Sequence, residues 1–124
     1  MNQSIERTTL SNLVTNEEYC RKVLPFIKPD YFDVKEERVV FEEITNFVEK
    51  YKRIPTKISL EIEVESRKDL TQDQHTKIVE IIQTLDSTDV DMEWLVDTTE
   101  KFCKDKAIYN AIVDGISIID GKDK

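Results

Sequence analysis

The stretch DMEWLVDTTEKFCKDKAIYNAIVDGISII, residues 91–119, decides the fold. It contains no proline and a single glycine, Gly115. Asp91 stands where a side-chain oxygen can accept an orphan backbone N–H, so the pattern predicts a helix from Met92 to about Ile119. At 1.5 Å per residue that helix is roughly 40 Å long, more than a domain of this size needs to cover its core. Leu95, Phe102, Tyr109 and Ile116 recur every seventh residue, and Ile112, Val113 and Ile119 widen the stripe toward its C-terminal end. A stripe that outruns its own domain must pack on something outside it. The rival reading packs the whole stripe on the helices that precede it.

Those helices are marked by caps and prolines. A first helix fits Ile5 to Thr15, with Leu10, Leu13 and Val14 on one side. Asn16 caps a second, with Glu17 and Glu18 at the positive end of its dipole and Pro25 as its stop. Residues 26–32 are apolar at both ends and broken by Pro29, which reads as a packed turn. Asp33 followed by Glu36 has the shape of a capping box, and Val40, Ile44, Phe47, Val48 and Tyr51 follow at helical spacing to Lys52. Thr56 caps the next element. Ile58, Leu60, Ile62 and Val64 alternate as in a strand, but no second strand pattern exists to pair their backbone, so the residues are read as helix. Thr71 to Gln74 forms a Thr-x-x-Gln box before Ile78, Ile81, Ile82 and Leu85.

Composition agrees. The 124 residues hold 2 Gly and 3 Pro, too few turn-makers for a sandwich, a barrel or a Gly-rich phosphate loop. A 35% share of charged residues suits helices with one apolar and one solvated face. The expectation is an all-α fold: a small helical bundle head over 1–90, a long helix over 91–119, and a tail over 120–124. A net charge of −8 repels nucleic-acid backbones and anionic bilayers, and no apolar run approaches the roughly 20 residues of a membrane span. Cys20 and Cys103 have no metal-ligand spacing and read as free, packed thiols of a reducing compartment.

Catalytic signatures are missing. No phosphate-cradling Gly-Lys loop occurs, the lone His75 reads as a helix-end residue, and the pairs Glu36-Glu37 and Glu42-Glu43 read as a solvated helix face. Lys50, Lys52 and Arg53, grouped around Tyr51, are the candidate for a weak nucleic-acid contact by phosphate pairing and stacking. The same cations also complement the dipole of a last helical turn. Neither metal nor cofactor is expected in this chain.

The order of short motifs adds a family likeness. Leu10-Ser11-Asn12-Leu13-Val14, Glu18-Tyr19, Lys22-Val23, Pro25 and Asp30-Tyr31-Phe32 resemble the start of replicative DNA helicases of the DnaB type, those of T-even-like bacteriophages above all. The likeness continues through Phe41, Val48, Tyr51, Pro55-Thr56 and Leu85. It is strongest at Trp94-Leu95-Val96, Thr99-Glu100-Lys101-Phe102 and Lys106-Ala107-Ile108-Tyr109-Asn110-Ala111.

The resemblance implies a DnaB-like N-terminal domain, an all-helical head followed by the first arm of a helical hairpin; the second arm would begin after Gly121, where three residues remain. It implies an assembly role: a collar that pairs subunits, docks primase and the helicase loader, and sits above a ring of six ATPase motors. The partners are then a second copy of the domain, primase and the helicase loader, with single-stranded DNA met only through the parent ring, in the cytoplasm of the infected bacterial host. ATP and Mg would serve the motor of a 5′ to 3′ helicase, absent from this chain. Phe102, Tyr109, Ile112, Val113 and Ile116 are the expected self-association residues. The alternative is a free-standing acidic helical phage protein that binds a host or replication factor.

Overall fold

The computed structural model describes the backbone of residues 4–121 and the side chains of residues 4–116. Helix α1 spans Ile5–Thr15, opened by the Ser4 hydroxyl, which accepts the Arg7 amide at 3.1 Å. Helix α2, Glu17–Val23, starts where the Asn16 side chain accepts the Tyr19 amide at 3.0 Å. Two 3-10 turns, Leu24–Phe26 and Pro29–Tyr31, carry the chain into α3, Lys35–Tyr51. Helices α4, Lys57–Glu65, and α5, Gln72–Gln83, each begin with a reciprocal capping box, Thr56 with Ser59 and Thr71 with Gln74. The last helix, α6, runs Met92–Gly121. Among the described residues there is no strand. The helix extends two residues past its expected end at Ile119; residues 122–124 of the expected tail, and the Ile119 side chain, lie outside the description.

Helix α3 occupies the middle, against α1 on one side and α4 and α5 on the other. Val39, Val40, Phe41 and Ile44 are buried, together with Leu60 and Val64 of α4 and Ile78 and Ile82 of α5. The alternating segment 57–65 is therefore helical, with Leu60 and Val64 inward and Ile58 and Ile62 exposed.

Two expectations need correction. Glu37 and Glu43 do not lie on a solvated face: both are buried, because α3 is covered around most of its circumference. Arg7 Nη2 stands 3.1 Å from Glu37 Oε2, and Arg67 Nη1 reaches Glu43 at 3.0 Å and Glu42 at 3.1 Å. Asp33 does not cap α3, whose start at Val34 has no side-chain cap; its carboxylate instead accepts Lys106 of α6 at 2.6 Å. In α1 the expected apolar residues Leu10, Leu13 and Val14 are buried, and burial extends to polar neighbours as well. Residues from Thr8 through Val14 are all buried, and Asn12 donates to the Thr8 carbonyl and the Thr88 hydroxyl, both at 2.9 Å.

Burial raises the Glu37 and Glu43 carboxyls above their ordinary value, against the opposing pull of Arg7 and Arg67. The folded chain then takes up protons ahead of the unfolded one, so stability from these groups is greater on the acid side and declines as pH rises through that window. Asp69 acts with the opposite sign. Its hydrogen bond from Arg67 lowers it to about 2, a contribution lost only as pH falls below the ordinary Asp range. The expected outcome is a melting temperature that rises from about pH 7 to about pH 5. Glu37→Gln with Glu43→Gln should flatten that rise, whereas the exposed pair Glu49→Gln with Glu65→Gln, an equal change in charge, should leave it.

Candidate functional site: the long helix and the basic turn

Helix α6 starts where Asp91 Oδ2 accepts the Trp94 amide at 2.8 Å. Its first half lies on the head. Leu95, Thr99 and Cys103 are buried, and Phe102 is half-buried with its ring 6.3 Å from Phe32. The Thr99 hydroxyl meets the Tyr19 hydroxyl at 2.6 Å, satisfying two buried polar groups with one bond. Two further ties end the contact: Lys106 to Asp33, and Asn110 Nδ2 to the Asp30 carbonyl at 3.3 Å. Beyond Asn110 the described side chains are exposed.

The seven-residue stripe is divided by helix geometry. A straight helix drifts about 20° per heptad, so Ile116 points roughly 60° away from Leu95. Leu95 is 1% exposed, whereas Tyr109 is 60%, Ile112 57% and Ile116 53% exposed, with Val113 also open. Phe102 thus belongs with the head's roof, and Tyr109, Ile112, Val113 and Ile116 come together on the free half. Ile108, 60% exposed, joins them. It escaped the sequence reading because the heptads were counted from Leu95; the i, i+4 series 108, 112, 116 was the available signal.

Lys50, Lys52 and Arg53 do not converge on an open stacking platform. The Phe47 and Tyr51 rings pack at 4.6 Å between centroids, with Lys50 Nζ 5.3 Å and the Arg53 guanidinium 5.5 Å from the Tyr51 ring. Lys52 closes α3 in the left-handed region, φ 62°. Lys52 and Arg53 also border a groove of about 610 Å³ floored by Cys20, Leu24, Ile27, Val48 and Ile54. The basic turn lies in the C-terminal part of α3 and the following turn, and nothing brings it together with the α6 stripe.

Burial pushes the Cys20 and Cys103 thiols up to about 11, so both stay protonated at neutral pH. Among the described residues no cluster of His, Cys, Asp and Glu could hold a metal ion, and no helix is long and apolar enough to cross a membrane.

The profile of the family described as "DnaB-like helicase N terminal domain" matches residues 1–101. A protein of Enterobacteria phage T4, described as a DnaB-like replicative helicase, is 28% identical over 102 residues, 82% of this chain and 21% of that protein. The chain spans about a fifth of the length of that relative.

The division of α6 predicts opposite responses to truncation. Leu95→Ala should cost about 2–5 kcal/mol in urea unfolding followed by circular dichroism, while Ile112→Ala should stay within about 0.5 kcal/mol. For the basic turn, fluorescence anisotropy with a single-stranded oligonucleotide at physiological salt should show no binding tighter than about 100 µM. Submicromolar binding lost in Lys50→Ala, Lys52→Ala and Arg53→Ala would make that turn a nucleic-acid interface.

Proposed function

The chain belongs to the DnaB-like helicase N-terminal domain family, and from that membership we propose that it is the collar of a hexameric replicative helicase. In this reading residues 1–90 are the head, residues 91–119 the arm that pairs subunits, and the tail leads toward a motor domain. The observation that carries it is the free half of α6, where Ile108, Tyr109, Ile112, Val113 and Ile116 stand exposed beyond the last head contact. Burying such side chains is worth roughly 1.5–3 kcal/mol each. Association costs about 4–15 kcal/mol, so an isolated domain should pair weakly and a hexamer firmly.

Gly115 supports a close partner. A Cβ there would meet nothing within 4 Å, so the chain's own packing does not call for glycine, which costs a helix interior about 1 kcal/mol against alanine. A backbone approaching from another subunit would call for it.

The work of this domain is geometric. The head fixes where the arm leaves, and paired arms hold subunits in register, so that ATP and Mg, used by the motors, drive single-stranded DNA through one continuous ring. Primase and the loader are the further partners, in the cytoplasm of the infected host. The 124 residues themselves bind no nucleotide in this scheme.

Sedimentation equilibrium tests the arm. Tyr109→Glu, Ile112→Glu and Ile116→Glu should each abolish self-association with unchanged circular dichroism, because an unpaired carboxylate in an apolar contact costs several kcal/mol. Where the wild-type domain is already monomeric, the same variants belong in the chain extended through its motor. Hexamers that survive all three substitutions would sink the arm reading, and stoichiometric nucleotide binding by the 124-residue chain would sink the assignment of roles.

A further inference from the structure

We propose that Trp94 and the acidic surface around it form a docking site for a basic, amphipathic segment of another protein. The inference does not rest on arm pairing: Trp94 precedes Ile112 by five helical turns, roughly 27 Å.

Trp94 is the single tryptophan of the chain and is 53% exposed. Its amide is engaged by Asp91, but among the described residues its ring has neither an aromatic nor a cationic partner. The exposed tyrosines differ. Tyr51 lies beneath Lys50 and Arg53, and Tyr109 has Lys106 Nζ 5.5 Å from its ring. Indole offers the strongest of the aromatic faces to a cation, yet none of the described residues supplies one.

The surrounding sequence says what is missing. From Leu85 to Glu100 there are six carboxylates and no Lys, Arg or His. Asp91 caps α6, Glu93 complements its dipole and Asp86 pairs with Lys57. Asp89, Asp97 and Glu100 have no such local use: they are exposed and join no ion pair among the described residues. Asp97 stands one turn beyond Trp94, and the exposed Val90 precedes it, so an apolar anchor sits among carboxylates outside any ion pair of the described residues; Lys101, one turn beyond Asp97, pairs with Asp105 instead.

The complement of that surface is a guanidinium or ammonium laid on the indole, beside an apolar side chain, with further cations meeting the carboxylates. A nucleic-acid backbone is repelled by the same charges. A second copy fits poorly, since like patches would meet acid to acid, and Lys50 and Arg53 of the basic turn already sit over their own aromatic rings.

The lone tryptophan makes the site its own reporter. The probe is a 14-residue helical peptide of Leu and Arg with blocked ends, compared with its Arg→Glu counterpart. Titration into the 124-residue chain should change Trp94 emission saturably at one peptide per chain, with affinity falling about tenfold or more from low to high salt. The Glu peptide should give no change. By anisotropy of labelled peptide, Trp94→Ala and Asp97→Lys should each weaken binding about tenfold, Trp94→Phe should recover part of the loss, and Glu65→Lys, the same charge change on α4, should stay within about twofold. Circular dichroism checks that each variant is folded. The proposal is overturned by an absent response, by wild-type affinity in Trp94→Ala, or by equal losses in Glu65→Lys and Asp97→Lys, which would mean diffuse charge. Emission that shifts with protein concentration alone, together with weaker self-association of Trp94→Ala, would assign the surface to a second copy and overturn it equally.

Discussion

The burial of α3 with two carboxylates on it is the constraint around which the rest of the molecule is arranged. Glu37 and Glu43 can sit inside only because Arg7, from α1, and Arg67, from the α4–α5 connection, reach them. Buried ion pairs add little net stability against an apolar replacement, but one partner without the other is strongly unfavourable. The two arginines therefore act as locating pins: α1 and the α4–α5 pair can cover α3 in only one rotational setting. The same setting places Phe32 and Asp33, just ahead of α3, where Phe102 and Lys106 of α6 meet them.

From this follows the division of α6 into a half that belongs to the head and a half that does not. The inner half shares the head's core through Leu95, Thr99 and Cys103, and its direction is set by polar ties at Tyr19, Asp33 and Asp30. Among the described residues the outer half has no such partners, and its apolar side chains stand exposed. One helix thus carries both a folding role and an outward face, and the join between them lies near Asn110. At the opposite end of the same helix, Trp94 presents a second outward face of different character, aromatic and framed by acid.

How much of this was legible depended on the range of the interaction. The caps at Asn16, Thr56, Thr71 and Asp91 were readable because each is a hydrogen bond within three residues of itself. The helical state of 57–65 followed from the lack of any strand to pair with it. Glu37 and Glu43 were misread because their partners lie 30 and 24 residues away, and a carboxylate pair looks the same in sequence whether or not a distant arginine covers it. Asp33 was misread for the reverse reason, a good local cap pattern overruled by Lys106 from 73 residues on. For the candidate site, the heptad spacing located the apolar stripe of α6 but not the point where the head lets go, since that point is set by contacts with Asp30 and Asp33. The crowding of cations over Tyr51 and Phe47 was likewise invisible as geometry, although all four residues were in view.

Because the head grips α6 only as far as Asn110, the outer face is indexed to the head by residue count alone. Inserting or deleting one residue between Asn110 and Ile112 would swing the distal side chains by about 100° and move them 1.5 Å along the axis, with no change to the head. A shift of seven residues would turn the distal face by only about 20° one way, and a shift of eleven by about 20° the other. The distal half of α6 behaves as a vernier whose allowed settings are whole numbers of near-integral turns, so lengthening it is a discrete operation and not a graded one.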